Sequence, residues 1–287
     1  MQFQKAQRKQ AKLRLALTGA SGSGKTFGAL QIAKGLGKKI AVIDTEKGSA
    51  SLYSDLVDFD VLELTEPYTP ERYIQAMQLA TDAGYEVLII DSITHEWNGS
   101  GGCLEIVDAV ARATYRNNSY AAWNEVTPRH RRFIDAMLSL DAHLIVTMRS
   151  KTDAAQVEEN GRKKVVKLGM KSEQRDGIEY EFTTVLDLIH DGHLATTSKD
   201  RTNLFKDPVV LSEEVGKKLL EWLDSGIPAT PCTDEEIELA IEQMREADFA
   251  IAQSIFGGCW KRSNKEQREK IKAVYDELKA KQEQASC

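Results

Sequence analysis

LRLALTGASGSGKTFGALQIAKGL, residues 13–36, is the stretch of this 287-residue chain that decides its fold. Its first six residues are an apolar strand candidate, and its last twelve read as a helix. Between them, GASGSGKT at residues 19–26 fits the phosphate-binding pattern G-x-x-x-x-G-K-[ST]. A chance glycine-rich turn is the alternative, but a strand before the loop and a helix after it are the context that supports the pattern.

Each part of this loop has a task in holding a nucleoside triphosphate. The glycines let main-chain N–H groups wrap the phosphates, and the helix N-terminus adds its dipole. Lys25 would reach the β- and γ-phosphates, and the Thr26 hydroxyl would bind Mg²⁺. The predicted cofactors are therefore ATP and Mg²⁺. The predicted nucleotide contacts in this segment are Gly19, Ala20, Ser21, Gly22, Ser23, Gly24, Lys25, Thr26 and Phe27.

Two carboxylates follow later strand candidates. Asp91 ends the apolar run EVLIID and is the candidate second metal ligand, although it could instead cap the turn at Ser92. Glu46 follows KIAVIDT, where an adjacent parallel strand would place it beside the γ-phosphate to orient or deprotonate water. Asp44 could serve instead, and either residue could merely cap the loop.

Apolar runs alternate with helical patterns along the chain, which predicts an α/β fold with a buried, mostly parallel sheet. Thr69 as N-cap and Pro70 begin a predicted helix that ends near Ala83. The strand candidates at 165–169, 180–189 and 193–200 lie closer together, so part of the sheet is expected to be antiparallel. Residues 227–236 read as a linker. Beyond it, 234–254 and 263–283 are predicted as two helices joined at GGCWKRS, residues 257–263.

Composition excludes several classes of protein. Apolar residues make up 41% of the chain, but no run approaches 18 consecutive apolar residues, so a membrane span is not expected. The basic N-terminus lacks the apolar run of a signal peptide. Four scattered cysteines suit a reducing cytosol and argue against disulfides or a zinc site, so a cytoplasmic location is predicted. The net charge of −6 opposes nucleic-acid binding by the whole surface but allows a local basic element.

The order of phosphate loop, strand-IDTE, strand-IIDS and strand-VTMR resembles the RecA/RadA recombinase ATPase core. Residues 1–225 are most similar to the short, core-only RecA-like ATPases of bacteriophages, which act in single-strand annealing and recombination. QRDGIEYEF (174–182) and TSKDR (197–201) are typical of that group. The resemblance implies an N-terminal oligomerisation tail at 1–12 and a RecA-like P-loop NTPase core at 13–225. Residues 226–287 lie outside the resemblance and are predicted to be a linker and a small C-terminal helical extension.

The resemblance also implies roles for single residues. Glu46 would be the catalytic base, Asp91 would support Mg²⁺, and Tyr53 would pack on adenine unless it is a core aromatic. Arg149 occupies the position of the amide that senses the γ-phosphate, usually a glutamine, and a guanidinium can also contact phosphate. Two further catalytic cations match residues that reach a neighbour's nucleotide, or else pair at a strand end. They are Lys199 and Arg201.

In recombinases the loop after the VTMR strand touches DNA, and here residues 149–175 hold eight basic and four acidic groups. Phosphate contacts need little more than such cations. The predicted DNA-binding residues are Lys151, Arg162, Lys163, Lys164, Lys167 and Lys171. The NG pair at 160–161 suggests a hairpin, so some of these cations could face solvent. Aromatic stacking could come from Tyr115, Tyr120 and Trp123 in the earlier segment 112–123.

A Phe-x-x-Ala motif ahead of the core docks on the next protomer in RadA-type proteins, and Phe3 and Ala6 have this spacing. A repeated head-to-tail contact would give a ring or a helical filament. The alternative is that Phe3 packs on its own core.

The predicted function is an ATPase that assembles on single-stranded DNA and promotes recombination or strand annealing. The implied partners are single-stranded DNA and further copies of the chain, with a single-strand-binding protein as a candidate and no membrane. The alternatives are a hexameric helicase-type motor and a non-hydrolysing, ATP-gated scaffold. A nucleotide kinase is disfavoured, because no arginine-rich lid is visible.

Overall fold

The structure is a computed structural model that describes residues 5–6, 8–159, 162–226, 232–247, 249–260 and 262–285. The chain divides into two compact units. One unit is residues 11–225, and the other combines the described residues of 1–10 with those of 226–287. Within the described residues, no helix has the length and apolar character needed to cross a membrane.

The larger unit is built on one sheet, whose strands alternate with helices along the chain. The strands are β1 Arg14–Gly19, β2 Ile40–Asp44, β3 Asp60–Glu63, β4 Val87–Asp91, β5 His143–Glu159, β6 Arg162–Ser172, β7 Thr184–Leu188, β8 Leu194–Asp200 and β9 Val209–Val210. The helices are α1 Lys25–Leu36, α2 Pro70–Asp82, α3 Thr94–Asn98, α4 Cys103–Thr114, α5 Ser119–Ser139 and α6 Glu213–Asp224.

The strand order is β3-β2-β4-β5-β1-β7-β8-β9, and β6 pairs with the far part of β5. The pairs from β3 through to β7 are parallel, whereas β6, β8 and β9 pair antiparallel. The predicted α/β class, with a mostly parallel sheet and an antiparallel part, is therefore confirmed. Because the carboxyl ends of parallel strands share one edge of the sheet, the loops after β1, β2, β4 and β7 meet there.

Both faces of the sheet are covered, which explains why β1, β2 and β4 are buried along their whole length. Successive side chains of a strand point to opposite faces. Leu88 and Ile90 accordingly pack in the layer with α2 and α5, whereas Ile89 packs in the layer with α1 and α6. Helices α1 and α6 approach main chain to main chain, because a Cβ at Gly216 would lie 2.1 Å from the Ile32 oxygen.

Local signals in the sequence explain several helix boundaries. The predicted helix at 70–83 is confirmed as α2, with the Thr69 hydroxyl accepting from the Arg72 N–H. Helix α5 begins at Ser119, where the Asn118 side chain accepts from the Ala121 N–H, and it contains Pro128. The predicted strand at 142–148 is longer than expected, because β5 continues to Glu159 as one arm of a hairpin.

The prediction of two C-terminal helices is wrong. The smaller unit has three helices in its described residues: α7 Asp234–Glu246, α8 Phe249–Trp260 and α9 Lys265–Ala285. Helix α7 stops because Ala247 takes an extended conformation, with φ −87° and ψ 161°. Gly257 to Trp260, expected in the joint, lie inside α8. Thr233 caps α7 through a reciprocal capping box with Glu236.

Candidate active site

The phosphate loop connects the end of β1 to the start of α1. Gly22 and Gly24 have φ values of 76° and 90°, in the left-handed region that glycine tolerates and other residues rarely adopt. The loop therefore turns back on itself and leads directly into the free N–H groups of the α1 N-terminus, which suit an anion. Lys25 Nζ donates to the main-chain oxygens of Gly19 at 3.0 Å and Ala20 at 2.8 Å.

The ammonium group of Lys25 thus lies over the loop that it is expected to serve. Burial lowers the pKa of Lys25, although the charges of Asp91 and Glu46 oppose this shift. An anion that binds here would strongly stabilise the partly desolvated ammonium group, because electrostatic attraction is stronger where water is excluded.

Thr26 and Asp91 come together at the carboxyl edge of the sheet. The Thr26 hydroxyl donates to Asp91 Oδ2 at 2.5 Å, and the Thr147 hydroxyl donates to the other carboxylate oxygen. Asp91 is 2% exposed. Its burial raises the pKa of the carboxyl group, while the two threonine hydrogen bonds oppose the shift. A hydroxyl and a carboxylate are oxygen ligands of the kind Mg²⁺ prefers, so this pair fits the ion.

Glu46 lies just beyond the end of β2, and its carboxylate is engaged by Arg149. Arg149 Nε donates to Glu46 Oε1 at 3.0 Å, and Arg149 Nη2 contacts Oε2. The Ser92 hydroxyl also donates to Oε1, at 3.2 Å. Burial alone would raise the pKa of Glu46, but the hydrogen bonds and charge of Arg149 outweigh it, so the pKa lies below its ordinary value. The candidate base is therefore ionised but paired.

Two other carboxylates, the alternative base Asp44 and Glu96 of α3, are engaged in other contacts. Asp44 is 1% exposed and accepts from the N–H groups of Glu46 at 2.6 Å and Ala50 at 3.0 Å, so it caps the loop after β2. Glu96 is fully buried and accepts from His130 Nδ1 at 3.0 Å and from the Cys103 thiol at 3.1 Å. Glu96 thus belongs to a network that joins α3, α4 and α5.

Phe27 and Tyr53 form an aromatic pair next to the phosphate loop. Their ring centroids are 5.9 Å apart, and Phe27 is 38% exposed in the first turn of α1. Tyr53 ends a short 3-10 turn, Ala50–Tyr53, and is half-buried against the core on that face of the sheet. The structure thus brings Tyr53, which is expected to pack on adenine, beside Phe27, a predicted nucleotide contact, while both contacts stay predictions.

The basic segment after Arg149 is a hairpin. Strands β5 and β6 pair antiparallel from Ser150↔Ser172 to Glu159↔Arg162, with an irregularity at Asp153/Ala154. Asn160 and Gly161 lie outside the described residues. Lys151 pairs with Glu173 at 3.9 Å and Lys171 with Asp176 at 2.7 Å. Four of the predicted DNA-binding residues on β6 have side chains that lie outside the described part of the structure: Arg162, Lys163, Lys164 and Lys167.

The other predicted cations lie away from the phosphate loop. In the sheet register, Gly19 pairs with Leu188, whereas Asp200 pairs with Thr184 at the opposite end of β7. Lys199 and Arg201 therefore lie at the end of the strands opposite to the phosphate loop. Lys199 Nζ donates to the main-chain oxygens of Glu179 at 3.0 Å and Tyr180 at 2.6 Å. Contact with a neighbour's nucleotide stays a prediction.

The tail motif is described only in part. Ala6 is exposed, and Phe3 lies outside the described residues.

Two histidines that the sequence analysis missed support the phosphate loop from the β7–β8 turn. His193 Nδ1 donates to the Ser23 oxygen at 3.3 Å, and the His190 ring lies where a Cβ on Gly22 would be 3.3 Å away. The two rings are 6.3 Å apart. Only the parallel pairing of β7 with β1 places this turn beside the loop, and no local motif signals that pairing.

Comparison with known proteins adds one match. A family model described as an AAA domain matches residues 11–209, more than half of the chain and most of the larger unit. No curated protein matches.

Proposed function

The chain belongs to the AAA domain family, which indicates a P-loop AAA-type ATPase, and from this premise we propose that it hydrolyses ATP while assembled on single-stranded DNA. The finer proposal is a RecA-like protein of recombination and strand annealing. The observation that supports this proposal is the course of strand β5. It lies between β1 and β4, brings Arg149 to Glu46, and continues into the basic hairpin.

In the proposed reaction, the phosphate loop and Lys25 hold the triphosphate. Thr26 and Asp91 would hold Mg²⁺, which supplies positive charge to the phosphate oxygens when bound. Glu46 accepts a proton as water attacks the terminal phosphorus and the bond to the bridging oxygen breaks. Because Arg149 pairs with Glu46, the carboxylate must leave the guanidinium before it can take up that proton.

The proposed DNA surface is the β5–β6 hairpin. Phosphate contacts by lysine and arginine do not depend on base sequence, which suits assembly along any single strand. The Glu173 N–H donates to the Arg149 oxygen at 2.7 Å, so the root of the hairpin is hydrogen-bonded to the residue that restrains Glu46. A strand bound along the hairpin would therefore act on the candidate base through β5.

We propose that Phe3 and Ala6 dock on the next copy of the chain. This contact would bring Lys199 and Arg201 of one copy towards the nucleotide bound by the other copy. Burial of a phenylalanine contributes on the order of 1.5–3 kcal/mol, about tenfold or more in association. Phe3→Glu is expected to reduce assemblies with ATP and DNA to monomers that still bind ATP, measured by sedimentation. Gln4→Glu adds the same charge without removing the ring and should assemble normally. Normal assembly of Phe3→Glu would refute this contact.

The decisive test is the ATPase rate with and without single-stranded DNA, together with negative-stain images of both samples. Lys25→Ala serves as the blank for contaminating activity. We expect hydrolysis above the blank, stimulated by DNA, and rings or filaments on DNA. A protein that hydrolyses ATP equally with and without DNA, and that binds no DNA, would refute the DNA function and leave only an ATPase.

A second candidate is an ATP-gated scaffold that scarcely hydrolyses ATP, and the pairing of Glu46 with Arg149 favours it. This candidate predicts ATP-dependent DNA binding with phosphate release no faster than in the Lys25→Ala blank. Phosphate release above the blank would exclude it.

A further inference from the structure

A surface cluster of aromatic residues, none of them in the phosphate loop, lies in the larger unit. The indoles of Trp97 in α3 and Trp123 in α5 stack with centroids 5.4 Å apart and planes 22° apart. The centroid of the Trp97 ring also lies 5.4 Å from that of the buried His130 ring. The Arg175 guanidinium lies 5.9 Å from the centre of the Trp123 ring. Both indoles are only half-buried, so part of each ring stays exposed.

These rings line a cavity of about 460 Å³. That volume falls within the range of roughly 300–1,000 Å³ typical of small-molecule sites. The side chains that define its chemistry are Trp97, Tyr120, Trp123, Asn124, Thr127 and Arg175. Tyr120 is 88% exposed, although a large aromatic ring gains free energy by burial.

The lining selects a flat ligand with a polar edge. Three aromatic rings offer faces for stacking, an amide and a hydroxyl offer hydrogen bonds to an edge, and a guanidinium offers charge to a nearby anion. A nucleobase attached to a sugar–phosphate chain has all three features. Arg112 and Arg116, exposed at and just beyond the end of α4, add positive charge that would attract such a chain.

We propose that this cavity, the aromatic pocket, binds a base of single-stranded DNA. The inference rests on the proposed DNA function and adds to it a second contact, made to bases rather than to phosphates. Stacking accepts any base because every base has a π-face, so the pocket would hold the strand without selecting its sequence.

The pocket is also connected to the active site. The Arg175 N–H donates to Gln174 Oε1 at 2.7 Å. Gln174 is 5% exposed, and its amide donates to the Ile93 oxygen at 2.9 Å and to Glu96 Oε2 at 3.2 Å. Ile93 lies two residues beyond Asp91. A base that moves Arg175 would therefore act on the segment that follows the candidate metal ligand.

The test compares two probes on the full chain, an oligo-dT strand and an abasic strand of the same length. The wild type is expected to bind oligo-dT at least about fivefold more tightly than the abasic strand, the lower limit for stacking one base. Tyr120→Ala and Trp123→Leu should each reduce this ratio towards one. Tyr180→Ala is the matched control, because Tyr180 is also an exposed tyrosine, at 77%, but lies outside the pocket. It should keep the full ratio.

The outcomes separate the two proposals. Equal binding of both strands by the wild type, or a full ratio in folded Tyr120→Ala, would overturn the aromatic pocket while leaving the hairpin in place. Binding of neither strand would overturn the DNA function and the pocket with it. Trp123 is half-buried, so two tests that do not need Trp123→Leu to fold accompany it. They are the variant at the exposed Tyr120 and the quenching of wild-type tryptophan fluorescence by oligo-dT.

Discussion

Replacement of Arg149 by glutamine tests whether this guanidinium controls the ionisation of the candidate base. In the wild type, the pKa of Glu46 lies below its ordinary value of 4.5, so the carboxylate stays ionised until the pH falls through that lowered value. Without Arg149, burial is the dominant remaining influence, and burial raises the pKa of a carboxyl group. The acid limb of the kcat profile should therefore move to higher pH in Arg149→Gln.

The size of the shift follows from the exposure of the pair. The Arg149 side chain is 44% exposed and that of Glu46 is 22% exposed, so solvent screens their attraction. Such a pair contributes up to about 1 kcal/mol. Charge-assisted bidentate contact could roughly double this figure. We therefore expect the acid limb to move to higher pH, as the charged form of Glu46 loses about 1 to 2 kcal/mol of stabilisation.

The assay is steady-state phosphate release across the acid range with saturating ATP and DNA, with circular dichroism to confirm folding at each pH. Arg129→Gln is the matched control, because it removes an arginine that makes the same kind of paired contact with Glu71 rather than with Glu46. The kcat of Arg149→Gln on the neutral-pH plateau, compared with that of the wild type, separately reports any contact of Arg149 with phosphate. An acid limb at the wild-type pH in Arg149→Gln would refute the assignment of Glu46 as the ionisation that limits kcat.

Three further predictions concern other parts of the molecule. Lys25→Ala should abolish nucleotide binding in a filter or fluorescence assay, whereas Glu46→Gln should bind ATP normally and lose hydrolysis; normal turnover in the glutamine variant would exclude this base. Neutralising residues 162–164 together should weaken single-strand binding alike for all sequences and flatten its salt dependence by up to about 0.7 per lost phosphate contact; an unchanged slope in a salt titration would exclude the hairpin. Gly216→Ala should lower the free energy of unfolding by about 1–3 kcal/mol, because its Cβ would overlap the main chain of α1, whereas Gly257→Ala, which meets nothing within 4 Å, should not destabilise in urea melts.

The parts of the fold that follow from local chemistry could be predicted from the sequence. The phosphate loop needs glycine at φ values of 76° and 90°, and glycine spacing is visible in a one-dimensional pattern. Thr69 and Pro70 likewise mark a helix start through their own hydrogen bonding and restricted φ. The break in the C-terminal helices was missed because Ala247, which ends α7, is a strong helix former with no stop signal of its own.

The contacts that govern the site depend instead on which strands are neighbours. Residues 46 and 149 are paired because β2, β4 and β5 are consecutive in the sheet, and the Gly19↔Arg149 register then sets Arg149 at the height of the phosphate loop. Parallel register arises from packing between distant segments, so no window of sequence contains it. Strand β5 pairs with β4 only as far as Val146, but it pairs with β1 as far as Arg149, and from Ser150 onward it pairs with β6 as the hairpin. Movement of the hairpin would therefore reach Arg149 first, because Arg149 is the last residue of β5 that β1 holds.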